Sequence, residues 1–270
     1  MSAISTLSSP NVIVNGSFED GGGSLTGWTV FNQPSGSGDW FVQTGTLSPP
    51  AVFTVPAPTN GTYAAMTSQF APGSHILYQD VLIPAGASLS FDVYIGNRAS
   101  AFHTPASLNR FTVPNQQARV DIMTTTAGIQ SVGAGVLSNV YQTAVGNPLV
   151  SGYTSVTTSL ASLAGQTVRL RFSEVDNQLF FQMGIDNVSV RVTYTALCSS
   201  IATLVDKIGI QKSLCSKLSN AADSEARGNS NAQNGQLAAF INEVEAQTGK
   251  SITPANAALL ISAAQSLMAP

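Results

Sequence analysis

Between residues 11 and 194 the apolar positions come in short runs, separated by clusters of Gly, Pro, Asn and Ser. Val12-Ile13-Val14, Trp28-Thr29-Val30-Phe31 and Trp40-Phe41-Val42 open the series. The run 77–83 ends at Pro84-Ala85-Gly86-Ala87, a turn, and the run 89–95 follows. These two runs read as neighbouring strands. Stretches 119–123, 168–172 and 181–190 complete the stronger candidates. Short apolar runs bounded by turn residues predict strands, and no helical period of useful length precedes residue 196. Many short strands at this spacing predict a jelly-roll-like antiparallel β-sandwich. The Ser/Thr-rich residues 1–10 read as a flexible arm.

Alternation within the runs assigns faces, because successive strand side chains point to opposite sides. Phe91, Val93 and Ile95 share one face, leaving Asp92 and Tyr94 on the other. Ala118, Val120 and Ile122 point in, with Arg119, Asp121 and Met123 out. Val168, Leu170 and Phe172 point in, with Arg169, Arg171 and Ser173 out. One sheet is therefore expected to present Asp92, Tyr94, Arg119, Asp121, Arg169 and Arg171 together. Two readings stand for that face: a polar binding surface with Tyr94 as its stacking ring, or cross-strand Asp/Arg pairs that solvate the sheet.

At Ala196 the period changes. Leu197, Ile201, Leu204, Val205 and Ile208 form a helical stripe, with Gly209 as its stop. A second helix is expected from about Lys212 to Arg227, with Leu214, Leu218 and Ala222 inward and Gly228 ending it. Asn229-Ser230-Asn231 caps a third, whose stripe is Leu237, Phe240, Ile241 and Val244, ending near Gly249. Thr253 followed by Pro254 is an N-cap with Pro at the first helical position. The fourth helix carries Leu260, Ile261, Ala264 and Leu267. The fold class is thus mainly β plus α. A sandwich over residues 11–194 precedes a small four-helix bundle over residues 195–270.

Composition narrows the class. The 270-residue chain is 43% apolar but only 9% charged, far below the usual ~25%. Its surface is covered by Ser, Thr, Asn, Gln and Gly, which suits a secreted or cell-surface protein. Net charge is −3 without a basic run, which argues against nucleic-acid binding. No apolar run approaches the ~20 residues that span a bilayer. No signal peptide is visible at Met1-Ser2-Ala3-Ile4-Ser5, so export implies a leader already removed. Cys198 and Cys215 belong to no Cys-x-x-Cys pattern. They read as a disulfide in an exported chain, or as two inert buried thiols.

Asn15-Gly16-Ser17-Phe18-Glu19 marks a turn, and Glu19-Asp20 runs into Gly21-Gly22-Gly23. Far along the chain, Gly184-Ile185-Asp186-Asn187-Val188-Ser189-Val190 is an alternating strand with one acid near its start. The two ends of the β domain are expected to meet, with Glu19 and Asp186 in one corner. That corner is a place for a hard cation such as calcium, or the two are ordinary turn acids. Asn-Gly-x-Phe-Glu, then Gly-Trp, then Asp-Asn-Val-x-Val resembles bacterial carbohydrate-binding modules of the galactose-binding-like β-sandwich type. The resemblance spans roughly residues 11–194 and speaks for fold more than for ligand. It implies a structural calcium ion held by Glu19 and Asp186, and a glycan groove on an outer sheet face.

Residues 197–268 resemble the small helical module called FIMAH, found at the C-termini of many bacterial exported proteins. The resemblance rests on Arg227-Gly228-Asn229-Ser230-Asn231-Ala232, Leu237-Ala238-Ala239-Phe240-Ile241-Asn242, Val244, Gln247, Gly249-Lys250, Ala257 and Leu260-Ile261. It implies export and modular architecture rather than an activity.

Loops at sandwich ends often carry function. Asn97, Arg98, Glu174 and Asp176 are candidates for a polar ligand site there, beside Tyr94, Arg119 and Asp121. The competing reading is an Arg98 ion pair that pins two loops, worth ~1 kcal/mol or less if exposed. His75 and His103 show no zinc-ligand spacing and read as structural. No Gly-x-Ser-x-Gly, His-Glu-x-x-His or phosphate-cradling loop is present. Ser74-His75 adjacency does not build a triad, and the carboxylate pairs Asp92/Asp121 and Glu174/Asp176 are those a glycosidase would need tested. The sequence therefore favours non-catalytic binding of carbohydrate or cell-surface glycan with a structural calcium ion. Its rivals are an adhesive surface protein with a protein partner, and a polysaccharide or ester hydrolase.

Overall fold

A computed structural model of the chain describes residues 9–50 and 53–269. Ten strands form two five-stranded antiparallel sheets packed face to face. The first sheet holds β1 (Thr29–Asn32), β4 (Gly73–Leu82), β9 (Thr167–Asp176), β6 (Gln116–Thr124) and β7 (Val136–Gln142), in that order. The second holds β2 (Asp39–Thr44), β3 (Tyr63–Ser68), β10 (Phe181–Val192), β5 (Ala87–Asn97) and β8 (Thr154–Ser159). The inward residues of both sheets make one core, including Leu77, Phe91, Val93, Val120, Phe172 and Ile185.

The expected faces of β5, β6 and β9 hold, but two expectations about strands do not. Val12-Ile13-Val14 forms no strand, because side-chain amides replace its ladder. Asn11 accepts from the Ile13 and Val190 N–H groups, and Gln79 accepts from Val14 N. The runs 77–83 and 89–95 are not neighbours. Pro84–Ala87 carries the chain across the sandwich, so β4 and β5 lie in different sheets. The strands β3, β7 and β8 were not apparent in the apolar pattern.

Residues 1–8 of the expected arm lie outside the described residues. Ser9, also assigned to the arm, is docked: its hydroxyl accepts from Val192 N at 2.7 Å.

The C-terminal part is a bundle of α1 (Tyr194–Leu204), α2 (Ile208–Ala226), α3 (Ser230–Gln247) and α4 (Pro254–Ser266). Thr193, Asn229 and Thr253 cap α1, α3 and α4 by accepting from N–H groups three residues on. Gly228 and Gly249, at φ +68° and +75°, follow α2 and α3. Gly209 is not a stop. The break falls at extended Val205 and Lys207, and Gly209 sits in the first turn of α2. Ile208, expected inward, is 69% exposed as a result. Leu197, Ile201, Leu214, Leu218, Leu237, Phe240, Val244, Leu260 and Ala264 fill the bundle core, each large side chain stabilising by about 1.5–3 kcal/mol when fully buried. Cys198 and Cys215 are joined as a disulfide that ties α1 to α2.

The bundle shares its core with Ala85 and Val192 of the sandwich. Gly86, at φ +71°, lies against the Leu197 backbone and donates its N–H to Ser200 Oγ at 3.0 Å. β10 runs from the opposite end of the sandwich to this junction. Its 12 residues cover ~40 Å at ~3.3 Å each.

Candidate functional site

The Asn15-Gly16 turn and the Asp186-Asn187-Val188 segment meet. β10 bulges between Asp186 and Ser189, with Asn187 at φ +52°. The freed Val188 N–H donates to Gly16 O at 2.7 Å, and Val188 O occupies the space a Cβ on Gly16 would need. Trp28 Nε1 donates to Asn15 O at 3.0 Å, and the Phe18 and Trp28 rings stack at 5.7 Å. Both acids of the motif then grip one loop. Glu19 Oε1 accepts from Thr62 N and Tyr63 N at 2.8 and 2.7 Å. Asp186 Oδ2 accepts from Thr59 N, Thr59 Oγ1 and Asn60 N, and Oδ1 from Asn187 N. Burial raises the Asp186 pKa, opposed by these hydrogen bonds. Glu19 Oε2 accepts no protein hydrogen bond among the described residues.

The six residues expected on one polar face are split between sheets, because β5 belongs to one and β6 and β9 to the other. Tyr94 is 1% exposed, packed with Val55, Met66 and Tyr153, so no sugar can stack on it. Asp92 beside it is spent on Thr59 and Ser155 hydroxyls. On the other sheet, Arg119 forks onto Asp121 through Nε at 2.8 Å and Nη2 at 2.6 Å. Arg171 Nη2 donates to the same carboxylate, and its Nη1 donates to Ile129 O. All three side chains are buried. Arg169 pairs with Asp80 and lies 4.2 Å over the Tyr78 ring. Arg171–Asp121 and Arg169–Asp80 are cross-strand pairs, as in the second reading, but Arg119–Asp121 lies within β6 and the Asp121 cluster is buried instead of solvating the sheet, so Arg119 and Asp121 are closed to a ligand.

The loop end of the sandwich is different. A cleft of about 140 Å³ is lined by Phe70, Ala71, Pro72, Asp176, Asn177, Gln178, Leu179 and Phe180. Phe70 is 64% exposed. Around it stand the Phe53 ring, 5.3 Å from Phe180, and Arg98, 4.9 Å over Phe53. Phe111, 66% exposed, carries Arg110 at 4.1 Å on the same end. Asp176 Oδ1 accepts from Gly73 N at 2.9 Å, and burial pushes its pKa up to about 7 against hydrogen bonds from Gly73 and the Gln69 side chain. Asn177 is spent on the 110–115 loop.

Among the predicted residues, Asp176 lines this cleft and Arg98 stands at its rim. No ion pair joins Arg98 to either acid among the described residues. Asn97 is buried, accepting from Ala99 N and Gln116 Nε2 to fix the chain beneath. Glu174 lies wholly inside, behind Asp176. Sequence reasoning passed over Phe53, Phe70, Phe111 and Phe180. Their signal was large rings set among Pro, Gly, Asn and Gln instead of in alternating runs.

A larger hollow of about 550 Å³ lies where α4 meets the sandwich, lined by Val12, Val14, Leu82, Ile83 and Leu259 among others. Two of its polar side chains are committed, Gln79 to Val14 and Gly27 and Asp80 to Arg169, which leaves the Ser262 hydroxyl. It offers little to a sugar's hydroxyls, so the smaller cleft is the better site.

Ser74 and His75 do not engage each other. Ser74 Oγ donates to Leu108 O on one side of β4, and His75 points into the sandwich on the other. Asp92 and Asp121 stand on different sheets.

No family model and no curated relative matches the chain. Among solved structures, the K1 cleaved adhesin domain of Lys-gingipain from Porphyromonas gingivalis W83 is 14% identical. It has a TM-score of 0.40 and covers 70% of this chain and 99% of that one. TmCBM61, in complex with β-1,4-galactotriose, is 14% identical at a TM-score of 0.40, over 67% of this chain and 98% of that one. The enzymatically active domain of bacteriophage CBA120 tailspike protein 4 is 13% identical at a TM-score of 0.38, over 67% of this chain. The chain spans 21% of that protein's length.

Proposed function

We propose that the chain binds carbohydrate without catalysis, through the loop-end cleft, as part of an exported bacterial protein. One observation carries this reading: exposed Phe70 and part-buried Phe180 flank an open cleft whose floor offers the Asp176 carboxylate. Aromatic faces pack on the apolar faces of sugar rings, and a carboxylate accepts hydrogen bonds from hydroxyls. The cleft is small, so it suits a single sugar unit or chain end. Asp176 favours neutral sugars over uronic acids. The four-helix bundle, at the far end of β10, leaves the cleft free, consistent with a FIMAH-like accessory module.

The Glu19–Asp186 corner fits a structural calcium ion in donor chemistry. Both carboxylates fasten the 59–63 loop, and Glu19 Oε2 and one lone pair of Asp186 Oδ1 remain to coordinate. In this reading calcium stiffens the motif and takes no part in sugar contact.

Affinity electrophoresis against a panel of neutral and acidic polysaccharides tests the function. Retardation by a neutral polysaccharide, lost in Phe70→Ala and Phe180→Ala, is expected. Uniform mobility across the panel contradicts it. Thermal melts with calcium and with chelator test the corner: a calcium-dependent rise, abolished by Asp186→Ala, is expected.

A further inference from the structure

Behind the cleft, His75, Glu174 and Asp176 project from adjacent strands into the space between the sheets. His75 faces Glu174 directly across the β4–β9 ladder, and Gly73 faces Asp176. One ligand-type atom of each lies within 4.8 Å of the other two. His75 and Glu174 are sealed from solvent at 1% and 0% exposure. Yet His75 Nε2 and both Glu174 oxygens have no hydrogen-bond partner. Burying polar atoms unpaired is costly, and native interiors seldom leave them so.

The histidine is also prepared for a ligand. Asp39 Oδ1, an acceptor only, takes the Asn32 amide N–H at 2.7 Å. That turns Asn32 Oδ1 toward His75 Nδ1, 2.7 Å away. The proton therefore sits on Nδ1, which leaves the Nε2 lone pair for a ligand. Metal-bound histidines are held in just this manner, by a carbonyl or carboxylate on the other ring nitrogen. The Ser37 carbonyl stands beside the ring, and Gly38 and Gly73 leave the space that Nε2 needs.

We propose that His75, Glu174 and Asp176 form a binding site for a divalent transition-metal ion of the zinc class. An imidazole nitrogen with two carboxylates, and no thiolate, suits zinc or manganese better than calcium, whose ligands are oxygens. Small side-chain rotations bring these atoms to the ~2.0–2.2 Å bonds of a zinc ion. Asp176 borders the open cleft, which gives the ion its way in. Three protein ligands leave one position of a tetrahedral ion for water or for an oxygen of a bound molecule. The site is separate from the Glu19–Asp186 corner, and it does not depend on the glycan reading.

The test uses the full chain, free of any histidine tag, stripped with chelator and dialysed against zinc. Elemental analysis is expected to find one zinc per chain. A zinc-dependent rise in Tm is expected as well, reproduced by manganese and added to the rise that calcium gives through the Glu19–Asp186 corner. His75→Gln and Glu174→Gln should lose both effects, and the surface variant Asp223→Asn should keep them. No retained zinc, or zinc retained equally by both site variants, overturns the proposal. Should those variants fail to fold, wild-type protein suffices. It has two histidines, and long-range proton–nitrogen spectra report each ring. Zinc should shift His75 Nε2 while Nδ1 stays protonated. An unmoved His75 resonance under saturating zinc would sink the site.

Discussion

Asp121 shows how one residue governs a whole sheet face. Burial alone would raise its pKa, but hydrogen bonds from Arg119 and the charge of Arg171 outweigh this and hold it below the ordinary 3.8. Its folded pKa is thus lower than its unfolded one. The resulting stability is fully present above the ordinary value and drains away as pH falls through the lower folded value. Asp121→Asn should remove that acid dependence. It should also cost about 3–5 kcal/mol, because two buried guanidinium groups lose their counter-charge. Urea unfolding at neutral and acidic pH measures both. At this scale the sequence was only half legible. Alternation placed Arg119, Asp121 and Arg171 on the outer side of their strands, but not under the 125–135 loop that turns that side into interior. Tyr94 failed likewise: its face was right, and the segment bearing Val55 covers it.

Elements were most legible where apolar periodicity and turn chemistry agree, as in β5, α3 and α4. The edge strands β7 and β8 were hidden because no residue of either is fully buried, and β8 is Ser and Thr throughout but for Val156. β9 is more instructive. The inward series Val168, Leu170, Phe172 continues to Glu174 and Asp176, and period two alone puts both acids inside. Their polarity made the segment read as a turn. His75 has the same history on β4, and its pairing with Glu174 needed the strand register, which no local pattern encodes. Burial drives the His75 pKa down to about 4, against the raising influence of Ser37 and Asp39. At neutral pH the ring is therefore neutral. Among the helices, the Cys198–Cys215 link closes a separation of 17 residues. Replacing both with Ser should lower bundle stability by ~3 kcal/mol on loop entropy, read as a lower Tm for the helical circular-dichroism signal.

At the scale of the molecule, two units share a seam and point their free ends apart. Gly86 is the tightest point of that seam. Its φ of +71° and its contact with the Leu197 backbone leave no room for a side chain. Gly86→Ala should cost about 1–3 kcal/mol in backbone strain and loosen the bundle from the sandwich. Limited proteolysis should then cut near Thr193, where the wild-type chain should resist. The division into sandwich and bundle was legible, because the hydrophobic period switches from two to 3.6 at one point. The location of the cleft was not, since its walls come from loops remote in sequence, around Phe70 and Phe180.

That cleft is the central claim, and isothermal titration with an oligosaccharide of the retained polysaccharide tests it most directly. Phe70→Ala and Phe180→Ala should each weaken binding roughly tenfold, about 1.4 kcal/mol, while Tyr94→Phe on the closed sheet face leaves the Kd unchanged. Unaltered affinity in both phenylalanine variants, or loss of binding in Tyr94→Phe, would contradict the account and return the site to the sheet.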